Sequence, residues 1–252
     1  MKKAIKIASI TLFWLLLWEI IALCIDSTLI FPDPFTVFLR LIDLFVTSDF
    51  WISIFTSLFR VMLGILIAIV AGTVLAFIAA KVKFIYDILY PFMTILRATP
   101  VASFIILIVL FIGRETVPSI ISLIMVLPVI FANIYTGISS IDKELKEVCS
   151  VYKMNLTTRL RVLYFPSVLP YFSSAVLSSI GLGWKAGIAA EILYPPLKSI
   201  GRAILRSNQL LMTEDLFAWT FVVIGLSLIF EFLAKAIISL ASRKRTGGNN
   251  DN

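Results

Sequence analysis

The sequence predicts an all-α polytopic membrane protein with six transmembrane helices. Of its 252 residues 60% are hydrophobic, and mean hydropathy is +1.02, whereas soluble domains are about 45–50% apolar. Only 15% are charged, against about 25% in soluble domains. The apolar residues also fall into long runs separated by short basic or proline-containing stretches. A soluble core cannot absorb that much apolar surface, so one transmembrane domain over residues 1–252 is expected.

Residues 4–25 form the first run, behind Lys2, Lys3 and Lys6. A run of about 20 residues exceeds the 7–15-residue core of a signal peptide. No small-x-small cleavage site follows, and Leu23 is too large for the residue before a lipidated Cys24, so an uncleaved anchor is expected. Residues 26–50 carry Pro32 and Pro34, then set Phe35, Phe38, Leu39, Leu41, Ile42 and Phe45 among polar positions. That pattern suits an extended link followed by an amphipathic helix at the membrane interface.

The second span covers residues 53–80. Within it Gly64, Ala68, Gly72, Ala76 and Ala80 recur every fourth residue, which puts a strip of small side chains on one face, where another helix can approach closely. The third span, 84–112, contains Pro91 and Pro100; proline removes a helix hydrogen bond and clashes with the preceding turn, so a kink is expected near residues 96–101, at Arg97. A short turn at Gly113, Arg114 and Glu115 leads to the fourth span, 116–138. A polar loop follows at 139–166, then a fifth span at 167–194 ended by Pro195, Pro196 and Gly201. The sixth covers 216–241, and the Gly/Asn-rich tail, 243–252, is expected to be disordered.

An orientation with the N-terminus inside places Lys2, Lys3, Lys6, Lys81, Lys83, Lys143, Lys146, Lys153, Arg159, Arg161, Arg243, Lys244 and Arg245 in the cytoplasm, thirteen in all. The outside receives five: Arg40, Arg114, Lys198, Arg202 and Arg206. This asymmetry follows the positive-inside rule with both termini cytoplasmic. Anionic headgroups of the inner leaflet account for the net charge of +7 without a nucleic-acid partner. Cys24 and Cys149 then lie on opposite sides of the membrane, where no intrachain bridge can join them.

Absences narrow the chemistry. With no histidine in the chain, imidazole-dependent zinc and haem sites, Ser-His-Asp systems and HExxH proteases are excluded. No GxxxxGK[ST] occurs, so the chain has no P-loop of its own, and any ATP-driven work must come from another subunit. No cofactor or metal bound by this chain is expected.

The 139–166 loop is the most informative segment. Leu145, Val148 and Tyr152, then Leu156, Leu160 and Leu163, repeat at helical spacing, implying two short amphipathic helices with a turn near residues 153–155 and Asn155 or Thr157 as the second helix's cap. Such a hairpin presents an apolar face to a partner, or packs on its own bundle. Glu147, Val148 and Cys149, then Lys153, residues 162–166 and Leu169-Pro170 resemble the "EAA" loop of permease subunits of bacterial binding-protein-dependent ABC importers. Trp18-Glu19, Phe-Pro-Asp-Pro at 31–34, Ser57-Leu58-Phe59-Arg60 with Gly64, Leu96-Arg97 to Pro100, and Gly183-Trp184-Lys185 to Ala190-Glu191 are similar to the nitrate, sulfonate and taurine branch.

The resemblance implies the importer-permease (MetI-like) fold in the bacterial cytoplasmic membrane. It implies a pore formed with a second copy as a homodimer, two ABC ATPase subunits that use the ATP, and an extracytoplasmic substrate-binding protein. In this picture Glu147, Val148, Cys149, Lys153, Leu156 and Leu160 meet the ATPase. The family's loop glycine falls at Lys153, and glycine there permits a left-handed turn. Lysine in that conformation costs on the order of 1 kcal/mol, so either the turn is strained or Asn155 takes the positive φ.

Ionisable groups within the bilayer are costly and mark function by default. Lys185 and Glu191, six residues apart on a helix, are roughly 120° apart around its axis, and one of them is expected to line the translocation pathway, with Arg97 as a second candidate. Lys185 is the natural attractor for an anion. Glu19 and Arg60, at similar depth on neighbouring spans, are expected to form a structural salt bridge, and Glu231 and Lys235 to pair with each other at i, i+4. Importing a small anion is the leading reading. The rivals are a pyrimidine-like vitamin precursor carried by the same machinery, an ATP-independent channel or secondary transporter, and a membrane-embedded enzyme.

Overall fold

The computed structural model describes the backbone of residues 2–246 and the side chains of residues 5–239. The described residues contain helices and connecting turns with no strand. In chain order the helices are α1 Lys2–Ile25, α2 Pro34–Val46, α3 Ser48–Lys81, α4 Lys83–Ala98, α5 Val101–Val109, α6 Val117–Ser139, α7 Lys143–Val151, α8 Leu156–Arg159, a π-helical turn Leu160–Tyr164, α9 Phe165–Leu193, α10 Ile200–Gln209 and α11 Thr213–Thr246.

Five stretches are each long and apolar enough to cross a membrane unbroken: Ile5–Ile25, Ser48–Lys81, Val117–Ser139, Leu156–Leu193 and Thr213–Ser239. The expected third span is different. It is divided into α4 and α5, which meet at 101° across Thr99 and Pro100. Pro100 has no N–H to continue the ladder, and it forces Thr99 into extended backbone at φ −80° and ψ 130°. The proline therefore acts at the expected place, but as a corner rather than a kink. The fifth span departs in the opposite sense, since helix runs through Pro166 and Pro170. Phe165 N–H reaches back to the Leu160 carbonyl, and this wider turn makes room where Pro166 supplies no donor. Helix α11 continues through Thr246, so residues 243–246 are helical rather than disordered; residues 247–252 of the expected tail lie outside the described residues.

The chain divides into two compact units. The first comprises residues 2–58 and 191–226 of the described residues. In it α2 begins with Pro34 at the first turn, and the Asp33 side chain accepts from Thr36 N at 2.9 Å and Thr36 Oγ1 at 2.6 Å. These bonds hold the Asp33 carboxyl below its usual range. Trp18 stacks on Phe217 and Phe221 with centroids 5.9 and 5.4 Å away, and its Nε1 donates to the Pro32 carbonyl at 3.0 Å. Arg40 of α2 grips Asp215 of α11 with two guanidinium nitrogens. The bond to Asp215 raises the Arg40 pKa further, against the opposing effect of burial.

The second unit comprises residues 59–190 and 227–246 of the described residues. Its core is α6, where Ile121, Val126, Ile130, Phe131 and Ile134 are buried. The small-residue strip of α3 faces this helix. A Cβ on Gly64 would stand 2.0 Å from the Ser119 carbonyl oxygen, and one on Gly72 would stand 3.0 Å from Ile130; Ala68 is fully buried. Gly183 and Gly187 of α9 likewise come against Ile65 and Val61 of α3. Ser122 Oγ donates to the Gly183 carbonyl at 3.0 Å, and Trp184 is buried edge-on to Phe230. These close backbone approaches are what a membrane bundle uses in place of the hydrophobic effect.

Candidate functional site

Helices α7 and α8 form the expected hairpin, and the backbone shows how its turn is made. Lys153 itself takes the left-handed conformation, at φ 48°, while Asn155 is extended and its side chain accepts from Thr158 N at 2.8 Å to cap α8. Lys153 N–H donates to the Ser150 carbonyl at 2.9 Å, and Met154 N–H to the Cys149 carbonyl at 3.1 Å. That pair of bonds is the glycine-type helix stop known as a Schellman motif, made here with lysine at the glycine position. Of the two turn geometries open in the sequence, the lysine-strained one is present.

The hairpin has an inner and an outer face. Cys149, Leu163 and Ile141 are buried together, with Met154 and Tyr164 packed against them. Cys149 is only 5% exposed, which corrects its place among the partner-facing residues: it turns inward and anchors α7. Leu163 is withdrawn in the same way. Outside stand Tyr152, 74% exposed, Leu156, 59%, and Val148, 47%, with Leu145 and Leu160 also open and Glu147 and Lys153 in solvent beside them.

The charges within the apolar helices separate into distinct roles. Glu191 is fully buried. Its Oε2 accepts from Ser57 Oγ at 2.7 Å and from Gly201 N–H at 3.1 Å, while Ile200 N–H donates to Ser57 Oγ at 2.9 Å. A carboxylate at a helix N-terminus is favoured by the exposed amides and the dipole, so Glu191 with Ser57 fixes the start of α10. A Cβ on Gly201 would lie 2.3 Å from Glu191 Cβ; only glycine fits. Lys185, by contrast, is exposed on α9, and its ammonium meets no carboxylate among the described residues. Arg97 sits one residue before the end of α4, and its Nη2 donates to the carbonyl of Pro128 in α6 at 2.6 Å, bracing the corner.

Arg60 finds a different carboxylate from the one expected. Its Nη2 pairs with Glu115, just ahead of α6, while Glu19 borders an apolar cavity of about 640 Å³ among Trp18, Phe35 and Phe221. Within its own unit Arg60 is thus held by Glu115, a residue that the sequence showed only as part of a turn. Glu231 and Lys235 do pair, at 3.7 Å. The Arg40–Asp215 pair was not visible in the sequence, because nothing local joins residues 175 positions apart. Ser57 was visible as a motif residue, but its role depends on the return of Glu191 and Gly201.

Comparison with known proteins adds an independent line. The profile of the family described as "Binding-protein-dependent transport system inner membrane component" matches residues 68–244. The nitrate import permease protein NrtB of Synechocystis sp. is 30% identical over 245 residues, covering 92% of this chain and 87% of that protein. The putative aliphatic sulfonates transport permease protein SsuC of Bacillus subtilis is 26% identical over 80% of this chain and 74% of its own. The taurine transport system permease protein TauC of Escherichia coli is 23% identical over 87% of this chain and 82% of its own. The chain therefore belongs to the inner-membrane components of binding-protein-dependent transport systems, as an ABC importer permease of the nitrate, sulfonate and taurine branch.

Proposed function

We propose that this chain forms the pore of an ATP-driven importer that brings a small anion across the cytoplasmic membrane, and that a separate ATPase drives it through the α7–α8 hairpin. The observation that carries this reading is the hairpin's division of faces. Cys149, Leu163 and Ile141 lock it from within, while Val148, Tyr152 and Leu156 stand exposed. A rigid lever with an outward apolar face is what a cytoplasmic motor needs, and a stand-alone transporter has no use for it. In the assembly two ATPase subunits use the ATP, a second copy of this chain completes the pore, and an extracytoplasmic binding protein delivers the solute. Both termini are cytoplasmic. The names of the related permeases support an anion as the solute, and Lys185 is its attractor along α9.

Copurification of the tagged chain from its native host tests the coupling. The wild type recovers an ABC ATPase, and Glu147→Arg, which reverses charge beside the exposed apolar face, loses it while remaining monodisperse. A stable, monodisperse wild type that brings no ATPase would overturn the importer reading in favour of an ATP-independent channel or secondary transporter.

A further inference from the structure

In the first unit a cavity of about 890 Å³ lies among α2, the start of α3, the 195–199 segment, α10 and the first turns of α11. Its charge is lopsided. Arg40, Lys198, Arg202 and Arg206 line it against Asp49 and Asp215, and Arg40 and Asp215 are already joined to each other. Lys198, Arg202 and Arg206 meet no carboxylate among the described residues.

The distribution of charge along the chain sharpens the point. With both termini inside, five lysines and arginines fall outside, and four of them, Arg40, Lys198, Arg202 and Arg206, border this one cavity. Arg202 and Arg206 are four residues apart on α10, hence on one face, and the Glu191–Ser57–Gly201 network fixes where that helix begins. The rest of the wall is largely apolar: Leu44, Phe50, Leu197, Leu205, Met212 and Trp219.

We propose that this cavity is an anion-binding site on the extracytoplasmic side, taking a small organic anion with a compact oxyanion head, such as a sulfonate, on a short apolar body. The head is held by Lys198, Arg202 and Arg206, and the body lies against the apolar wall. A bare inorganic oxyanion such as nitrate engages only the charged half and binds more weakly. The inference rests on the proposed function for its orientation and for its link to transport, whereas the cavity's charge stands by itself. The phosphate of a lipid headgroup shares this chemistry, and the test separates the two sources.

The test uses the assembled importer in intact cells, with Cys24→Ser, Cys149→Ala and Gln209→Cys in this chain. Gln209 is exposed and borders the cavity. Rates of modification are measured with the anionic sulfonatoethyl and the cationic trimethylammonioethyl methanethiosulfonates, neither of which crosses the membrane. A cleft lined by one sign of charge concentrates counter-ions about tenfold or more, so, with each rate divided by that reagent's own rate with a small free thiol, the anionic reagent should react at least about tenfold faster. The ratio falls towards one when Arg202→Gln and Arg206→Gln are added. Butanesulfonate outside should slow modification at concentrations where nitrate does not.

Equal normalised rates for the two reagents in the parent protein overturn the proposal, whether or not the arginine variants fold. So does reaction confined to inverted vesicles, which puts the cavity on the cytoplasmic side. In proteoliposomes, protection that follows phosphatidylglycerol and ignores butanesulfonate assigns the site to lipid and also overturns it. If no ATPase copurifies, the importer reading fails on its own, and an anionic preference with butanesulfonate protection still upholds the site.

Discussion

Lys153 holds a backbone conformation that side chains resist, and it does so at the stop of α7. Its φ of 48° carries a steric cost that glycine avoids. Lys153→Gly is therefore expected to stabilise the hairpin by about 0.5–1 kcal/mol, the usual scale for such positions. Slower amide exchange across residues 145–163 checks this, and unchanged or faster exchange contradicts it. Asp33 gives a residue-scale pH dependence of opposite origin. Its carboxylate is favoured in the folded state by the Thr36 hydroxyl and amide, so its folded pKa lies below its unfolded value. The stability it supplies is fully present above the ordinary carboxylate range and disappears as pH falls through the depressed folded pKa. Asp33→Ala should cost about 1 kcal/mol near neutrality, as loss of an N-cap does, and the difference from wild type should vanish in acid. Thermal unfolding of both proteins at pH 7 and at the lowest pH each tolerates measures it.

Among elements, the strongest demands come from backbones that nearly touch. Gly64 leaves no room for a Cβ before the Ser119 carbonyl, and backbone cannot move aside as a flexible side chain does. Gly64→Ala is expected to cost about 1–3 kcal/mol through overpacking, seen as a lower melting temperature and a lower folded yield. Gly113→Ala is the control, since a Cβ there meets nothing within 4 Å; equal losses for both would show that α3 and α6 are not held by this approach. The start of α10 makes a second demand. Replacing Glu191 with Ala strips Ser57 and the Gly201 amide of a buried acceptor. Each donor left unpaired costs about 1–3 kcal/mol. Glu191→Gln keeps an acceptor oxygen and should recover part of the loss in the same melting experiment.

For the whole molecule, the proposed coupling through the α7–α8 hairpin makes a prediction about uptake. The chain carries no P-loop and no histidine, and it belongs to a family of transport components that work with a binding protein. Solute uptake by the intact importer should therefore fail in Val148→Asp, which puts a charge on the exposed face of α7, while membrane insertion and the melting temperature of the isolated chain stay unchanged. A drop in melting temperature equal to the drop in uptake would mean that Val148 supports the fold rather than the coupling.

The sequence alone determined that the chain is helical and membrane-bound, where its apolar runs lie, and that residues 139–166 fold as a capped hairpin. Those properties depend on composition, on 3.6-residue periodicity and on the reluctance of bilayers to bury charge, all of which are local or additive along the chain. It also showed that Gly64 and Gly72 share a face, because helical spacing is local too. Only the tertiary structure decided that Pro100 turns a corner of 101°, that Cys149 faces inward, that Arg60 pairs with Glu115, and that Glu191 anchors α10 through Ser57. Each depends on which residues from distant parts of the chain meet. A buried charge is satisfied by whatever donor or countercharge the packing brings within about 3 Å, and spacing within a single helix carries no record of that choice.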